Sequence, residues 1–155
     1  MVRVPLKGVR IPGISRAGAK ALLAVLVLSR LRTWEPLEFV MDTGSAVTTV
    51  PMSMALEKRL EVPSRSLEVE VSTASGLVKQ RRRPGQLTVR IAGLEPREFN
   101  WPCHFVEHEG PPPKPALGLA GVLEDLRLIV DGAYREDAPH GTLTLEPTSP
   151  PSRRR

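Results

Sequence analysis

One stretch constrains this chain more than any other: Phe39-Val40-Met41-Asp42-Thr43-Gly44-Ser45-Ala46-Val47-Thr48-Thr49-Val50. Three apolar residues run straight into Asp-Thr-Gly, and a β-branched run leaves it. β-Branched residues suit a pleated, half-buried strand, and glycine lets the turn between the strands bend sharply. The pattern predicts two strands joined by a tight turn, with a carboxylate at the end of a buried strand. Placing an ionisable group there is costly unless hydrogen bonds or chemistry compensate.

The rest of the chain agrees with a small β protein. Its 155 residues fit one domain with a modest core. Aromatics are only 4% of residues, so Leu, Val, Ile and Ala must build that core. Sixteen prolines and twelve glycines call for short elements and many turns.

Residues 21–28 are apolar and Val/Leu-rich toward their end, and are read as a strand pairing with 37–41, with Glu35-Pro36 breaking the chain between them. Residues 46–50 form the next strand, ending at Pro51. A short helix is expected over 53–60, capped by Ser53, with Met52, Leu56 and Leu60 on one face. Leu67, Val69 and Val71 alternate with Glu68 and Glu70, which is the period of a strand. Thr73-Ala74-Ser75-Gly76 is turn material. After Pro84-Gly85, Leu87, Val89 and Ile91 alternate again, giving a long hairpin. Further strands are expected near 99–106, 126–130 and 142–145, with a helical turn over 122–125. Residues 109–115 read as a stiff polyproline spacer. Three regions result: a poorly ordered basic segment at 1–20, in which Val2 and Val4 could start a short strand that Gly8, Pro12, Gly13 and Gly18 break, a folded domain at 21–146, and a disordered Pro/Arg-rich tail at 147–155.

With these segments in place, the chain resembles the retropepsin-like aspartic peptidases, of the single-domain bacterial type. The matching features are Asp42-Thr43-Gly44-Ser45, the hairpin turning at Ser72-Thr73-Ala74-Ser75-Gly76, and Ala116-Leu117-Gly118 followed by a short helix and strand to Asp131-Gly132. The resemblance implies an all-β acid-protease half-barrel with one or two short helices. It implies peptide hydrolysis, a homodimer in which each copy supplies one Asp42, and no cofactor or metal. Asp42, Thr43 and Gly44 are the implied catalytic residues, with Thr43 bonding across the axis. Ser45, reaching an outer carboxylate oxygen, and the flap residues Thr73, Ala74, Ser75 and Gly76 are implied to contact an extended peptide. The strand at 142–145 is implied to lie at the dimer interface.

The chemistry suits these residues. Metal-free peptide hydrolysis needs a base to activate water and an acid to protonate the substrate. Two adjacent carboxylates do both, because they cannot both ionise cheaply and so share a proton. Asp125, Asp131 and Asp137 are not followed by Thr/Ser-Gly and make poor internal partners.

Other readings stand beside this one. Asp42 alone could be an Asx-turn residue, and the fold could serve as a non-catalytic peptide-binding or assembly module. Cys103, His104 and His108 have short metal-ligand spacing but lack a fourth ligand. The net charge of +5 owes much to Arg81-Arg82-Arg83 and Arg153-Arg154-Arg155. With no stacking aromatics beside them, these clusters read as solvated, and nucleic acid is not expected as a partner. The longest apolar run, 21–28, is far short of the roughly 20 residues of a spanning helix. No membrane association is expected, and with one cysteine and no secretory signal pattern a cytoplasmic protein is expected.

Overall fold

The computed structural model describes residues 1–15 and 18–148. The fold is all-β with two short helices, as expected. Its strands are β1 (Val2–Pro5), β2 (Lys7–Val9), β3 (Gly18–Lys20), β4 (Leu22–Leu28), β5 (Trp34–Met41), β6 (Thr48–Pro51), β7 (Leu67–Thr73), β8 (Gly76–Arg90), β9 (Glu98–Val106), β10 (Ala116–Leu117), β11 (Leu126–Asp131) and β12 (Thr142–Pro147). The helices are α1 (Met52–Glu57) and α2 (Val122–Asp125).

The main sheet has the order β4-β5-β10-β6-β9-β8-β7. It rolls until β4 also pairs with β8, through Leu26 opposite Arg90 and Val27 opposite Val89. Closure removes most open edges, and β7 is left projecting with β8 as a hairpin. Alternation then builds the core. Leu23, Val25 and Val27 of β4 point inward, as do Leu87 and Val89 of β8 and Phe99, Trp101, Cys103 and Phe105 of β9. A second sheet, β1-β12-β11, packs Leu143 and Leu145 against this core.

Several expectations need correction. The 1–20 segment, read as poorly ordered, carries β1 paired with β12 and the β2–β3 hairpin. Val2 lies opposite Leu145 and Val4 opposite Leu143, so a distant apolar strand supplies the order that the local Gly/Arg-rich sequence does not. Pro36 does not break the chain but lies within β5, opposite Leu26. Pro84-Gly85 likewise lies inside the unbroken β8. Between Arg82, where pairing with β7 ends, and Val89, where pairing with β4 begins, β8 has one free side that tolerates a residue without an N–H. Gly85 serves packing, since a Cβ there would lie 2.8 Å from the Phe105 ring.

Helix α1 starts one residue earlier than expected, with no side-chain cap. Ser53 instead joins its hydroxyl to His108 Nε2 at 2.9 Å. Ala55 is the residue it buries, while Leu56 is 66% exposed. Six residues are too few for a 3.6-residue stripe to decide the buried face; contacts with β6 and β9 decide it. The expected tail begins inside β12, and its part from 149 onward lies outside the described residues.

Candidate functional site

Strand β5 carries Phe39, fully buried, then the half-buried Val40 and Met41, and ends just before Asp42. Residues Asp42, Thr43 and Gly44 are exposed, because the loop sits where the rolled sheet ends. Burial of the strand therefore stops short of the carboxylate in a single chain. Asp42 Oδ1 accepts a hydrogen bond from the Gly44 N–H at 3.0 Å, and the Asp42 carbonyl accepts one from the Ser45 N–H at 3.1 Å. The first is an Asx-type bond, which holds one carboxylate oxygen toward its own turn. The Ser45 hydroxyl donates to the Val47 carbonyl at 2.8 Å, so in one chain it braces the loop rather than the carboxylate.

The loop is held from behind by the crossing segment at 117–120. Strand β10 inserts between β5 and β6, parallel to the first and antiparallel to the second. The Asp42 N–H donates to the Leu117 carbonyl at 3.0 Å. The Leu119 and Ala120 N–H groups donate to the Ser45 and Ala46 carbonyls at 3.1 and 2.9 Å. At the crossing, a Cβ on Gly118 would lie 2.3 Å from the Val47 carbonyl carbon, so only glycine fits. The Gly118 N–H donates to Thr48 Oγ1 at 3.1 Å. Thr48 is fully buried, and sequence reasoning did not single it out. The available signal was its spacing: two residues before the core residue Val50, it puts a hydroxyl on the inward face, where a partner is required.

A cross-sheet row leads away from this loop on the face opposite the core. Leu22, Val40, Ala116, Thr49, His104 and Pro84 lie side by side in register, all half-buried. Beyond them Arg82 donates from Nε to Gln80 Oε1 at 2.8 Å and contacts His104 Nδ1 at 3.3 Å. Burial, with Arg82 as the lesser cause, holds His104 below its ordinary pKa. The arginine run at 81–83 thus does not form one basic face: Arg82 lies on this row's face, and Arg83 reaches Glu107 from the other.

The projecting β7–β8 hairpin carries the expected tip. Thr73 Oγ1 donates to the Gly76 carbonyl at 2.8 Å and meets Ser75 Oγ at 3.1 Å, and Gly76 takes φ +114°. The hydrogen bonds of Thr73 and Ser75 side chains stay within this turn. The structure thus brings Asp42, Thr43, Gly44 and Ser45 together with 117–120, while Thr73, Ala74, Ser75 and Gly76 form a separate exposed tip.

Other candidates are committed elsewhere. Asp125 accepts from Trp101 Nε1 at 3.0 Å, and Asp131 pairs with Arg135 at 3.7 Å. Strand alternation sends Cys103 into the core and His104 to the opposite face, and burial pushes the Cys103 thiol up to about 12. Among the described residues no group of three or more His, Cys, Asp or Glu is placed to hold a metal. No described helix is long and apolar enough to cross a membrane.

Known proteins share this fold and family. A retropepsin-like aspartic protease from Rickettsia conorii superposes with a TM-score of 0.55 at 15% identity, covering 93% of this chain and 88% of that one. EIAV protease complexed with the inhibitor HBY-793 gives 0.44 at 16% identity, covering 70% of this chain and 88% of that one. No curated protein matches the sequence. The family model described as aspartyl protease matches residues 35–120, from β5 through the Asp42 loop and the hairpin to the Gly118 crossing. More than half of the sequence lies within that match, and the chain belongs to the aspartyl protease family, with a retropepsin-like fold.

Proposed function

We propose that the protein is an aspartic endopeptidase acting as a homodimer, with Asp42 and the partner subunit's Asp42 as the catalytic pair. One observation carries this reading: the Asp42 carboxylate stands exposed on a loop that three main-chain hydrogen bonds to residues 117–120 hold from behind. A rigidly positioned acid left open at the surface is incomplete as a hydrolytic site, and a two-fold axis brings such a residue to its own copy. Once paired, the two acids share a proton.

The ionised member takes a proton from water as the water oxygen attacks the scissile carbonyl carbon. The protonated member gives its proton to the carbonyl oxygen. Collapse of the tetrahedral species breaks the C–N bond as the proton taken from water passes to the leaving amine and a hydroxyl proton returns to the second acid. Gly44 contributes the N–H that holds Oδ1, and Thr43 would bond the partner loop. Ser45 and the tip residues Thr73, Ala74, Ser75 and Gly76 would meet an extended peptide through strand-like hydrogen bonds, with the Val40–Ala116–Thr49 row as its floor. No cofactor is required.

The strand edges bear on where the second copy would attach. The strand at 142–145 was expected at the interface, but β12, which contains it, lies between β1 and β11 and both its edges are taken. The outer edges of β1 and β11 are both unpaired among the described residues, and Val130 on β11 is 67% exposed. An exposed apolar edge of this kind invites another strand. A lone buried thiol suits a reducing compartment, and we assign the protein to the cytoplasm, with residues 21–146 as the catalytic domain.

The test is cleavage of a peptide library at mildly acidic pH, with mass measurement in solution. Wild type should cleave as a dimer, and Asp42→Asn should dimerise and keep its melting temperature while losing cleavage. Dimers that cleave nothing would favour a peptide-binding module, and a fully active monomer would refute the paired mechanism.

A further inference from the structure

A second site stands apart from the Asp42 loop. Beside α1 lies a cavity of about 310 Å³ lined by Arg30, Arg59 and Arg83 over Leu56, Leu60 and Val62. Glu61 is the acid on its wall. Its volume sits at the small end for ligand pockets, roughly 300–1,000 Å³.

Two features mark the cavity as built. The first is Arg83, which emerges from the core-facing side of β8. Its Nη2 meets Glu107 at 3.4 Å, a long contact, while its Nε is buried without a hydrogen-bond partner among the described residues. An orphaned guanidinium donor at a cavity wall is expensive.

The second is the backbone that carries the other two arginines. At the end of α1 the Leu60 N–H donates to the Ala55 carbonyl at 2.8 Å and the Arg59 N–H to the Leu56 carbonyl at 3.1 Å. This is a Schellman ending, and Arg59 occupies its left-handed position at φ +55°, where glycine is the least costly residue. The 29–33 turn does the same with Arg32 at φ +63°. Buried Ser29 organises that turn by accepting from the Leu31 and Thr33 N–H groups. The Arg30 N–H then donates to the Arg59 carbonyl at 2.9 Å, locking the two turns together. The fold thus carries an arginine where a side chain costs energy, and fastens it next to Arg30.

We propose that this cavity binds a small amphipathic anion: a carboxylate or phosphate head held by Arg30, Arg59 and Arg83, on a short apolar body lying over Leu56, Leu60 and Val62. Guanidinium forks match the oxygens of both heads. Three cations outnumber the two nearby acids, Glu61 and Glu107. The proposal does not depend on the catalytic reading.

Calorimetric titration of the full chain tests it, with hexanoate and hexyl phosphate as probes and with hexanol and inorganic phosphate as controls. Both amphipathic anions should bind, and both controls should bind at least tenfold more weakly: hexanol for want of the charged hydrogen bonds, inorganic phosphate for want of an apolar body to bury. Arg59→Gly separates binding from folding. Glycine suits the left-handed position, so the melting temperature should hold or rise while affinity for hexanoate falls roughly tenfold. Arg83→Met should weaken binding similarly, and Asp42→Asn should leave it unchanged. The site is refuted if neither anion binds wild type, if hexanol binds as well as hexanoate, or if Arg59→Gly binds undiminished. Inorganic phosphate binding as tightly as hexyl phosphate would overturn the apolar half of the assignment.

Discussion

The Asp42 loop and the Thr73–Gly76 tip are both exposed turns between strands, yet they are held in opposite ways. The loop is fastened to 117–120 by main-chain hydrogen bonds, and behind it Thr48 and Gly118 meet in the core. The tip has side-chain hydrogen bonds only to itself. The contrast teaches where this fold spends its rigidity. On the proposed reading, a carboxylate that works with a twin must be held in place, because charge coupling depends on separation. A turn meant to admit and cover a chain must be free to open.

Substitutions on either side should break or sharpen that contrast. Gly118→Ala should have the largest effect. Its Cβ would strike the Val47 backbone, and that backbone has no rotamer to yield. The expected loss is about 3 kcal/mol or more in urea unfolding, with cleavage lost as the loop shifts. Thr48→Val should cost about 1–3 kcal/mol by leaving the buried Gly118 N–H without an acceptor. Gly76→Ala, at the tip, meets no neighbour within 4 Å and only a backbone penalty at φ +114°. It should cost about 1 kcal/mol, and its mark should appear in KM more than in the unfolding midpoint. If Gly76→Ala proved as damaging to stability as Gly118→Ala, the two turns would not differ as described.

The smallest effect concerns pH. The folded pKa of His104 lies below its unfolded value of about 6.5. As pH falls through that value, the unfolded chain takes up a proton before the folded one. Its contribution is therefore fully present above pH 6.5 or so and declines toward the folded pKa. His104→Gln should flatten this part of the stability profile, measured by urea midpoints across pH, and an unchanged slope would show that the half-buried row is better solvated than its register implies.

Much of this architecture was legible locally. The alternation of Leu67, Val69 and Val71 with glutamates gave the strand, and Thr73-Ala74-Ser75-Gly76 gave its turn. The Asp-Thr-Gly run located the loop and Ala116-Leu117-Gly118 the crossing. Where reading failed, the missing information was a distant partner. The 1–20 segment is ordered rather than loose because Leu143 and Leu145 lie opposite Val2 and Val4. Pro36 and Pro84 remained in strands because what a proline breaks depends on which side of the ladder needs an N–H. Leu56 faced outward because α1 is too short for its own periodicity to choose a face.

Residue types and their spacing were enough to assign strands, the tight turn and the acid upon it, since these follow from short-range sterics and from alternation. Only the folded chain decided that Thr48 supports Gly118, that β12 is enclosed rather than free, and that Arg30, Arg59 and Arg83 surround one cavity. Those facts depend on segments far apart in the chain being brought together, and the energy of such contacts belongs to the pair, not to either residue's neighbourhood.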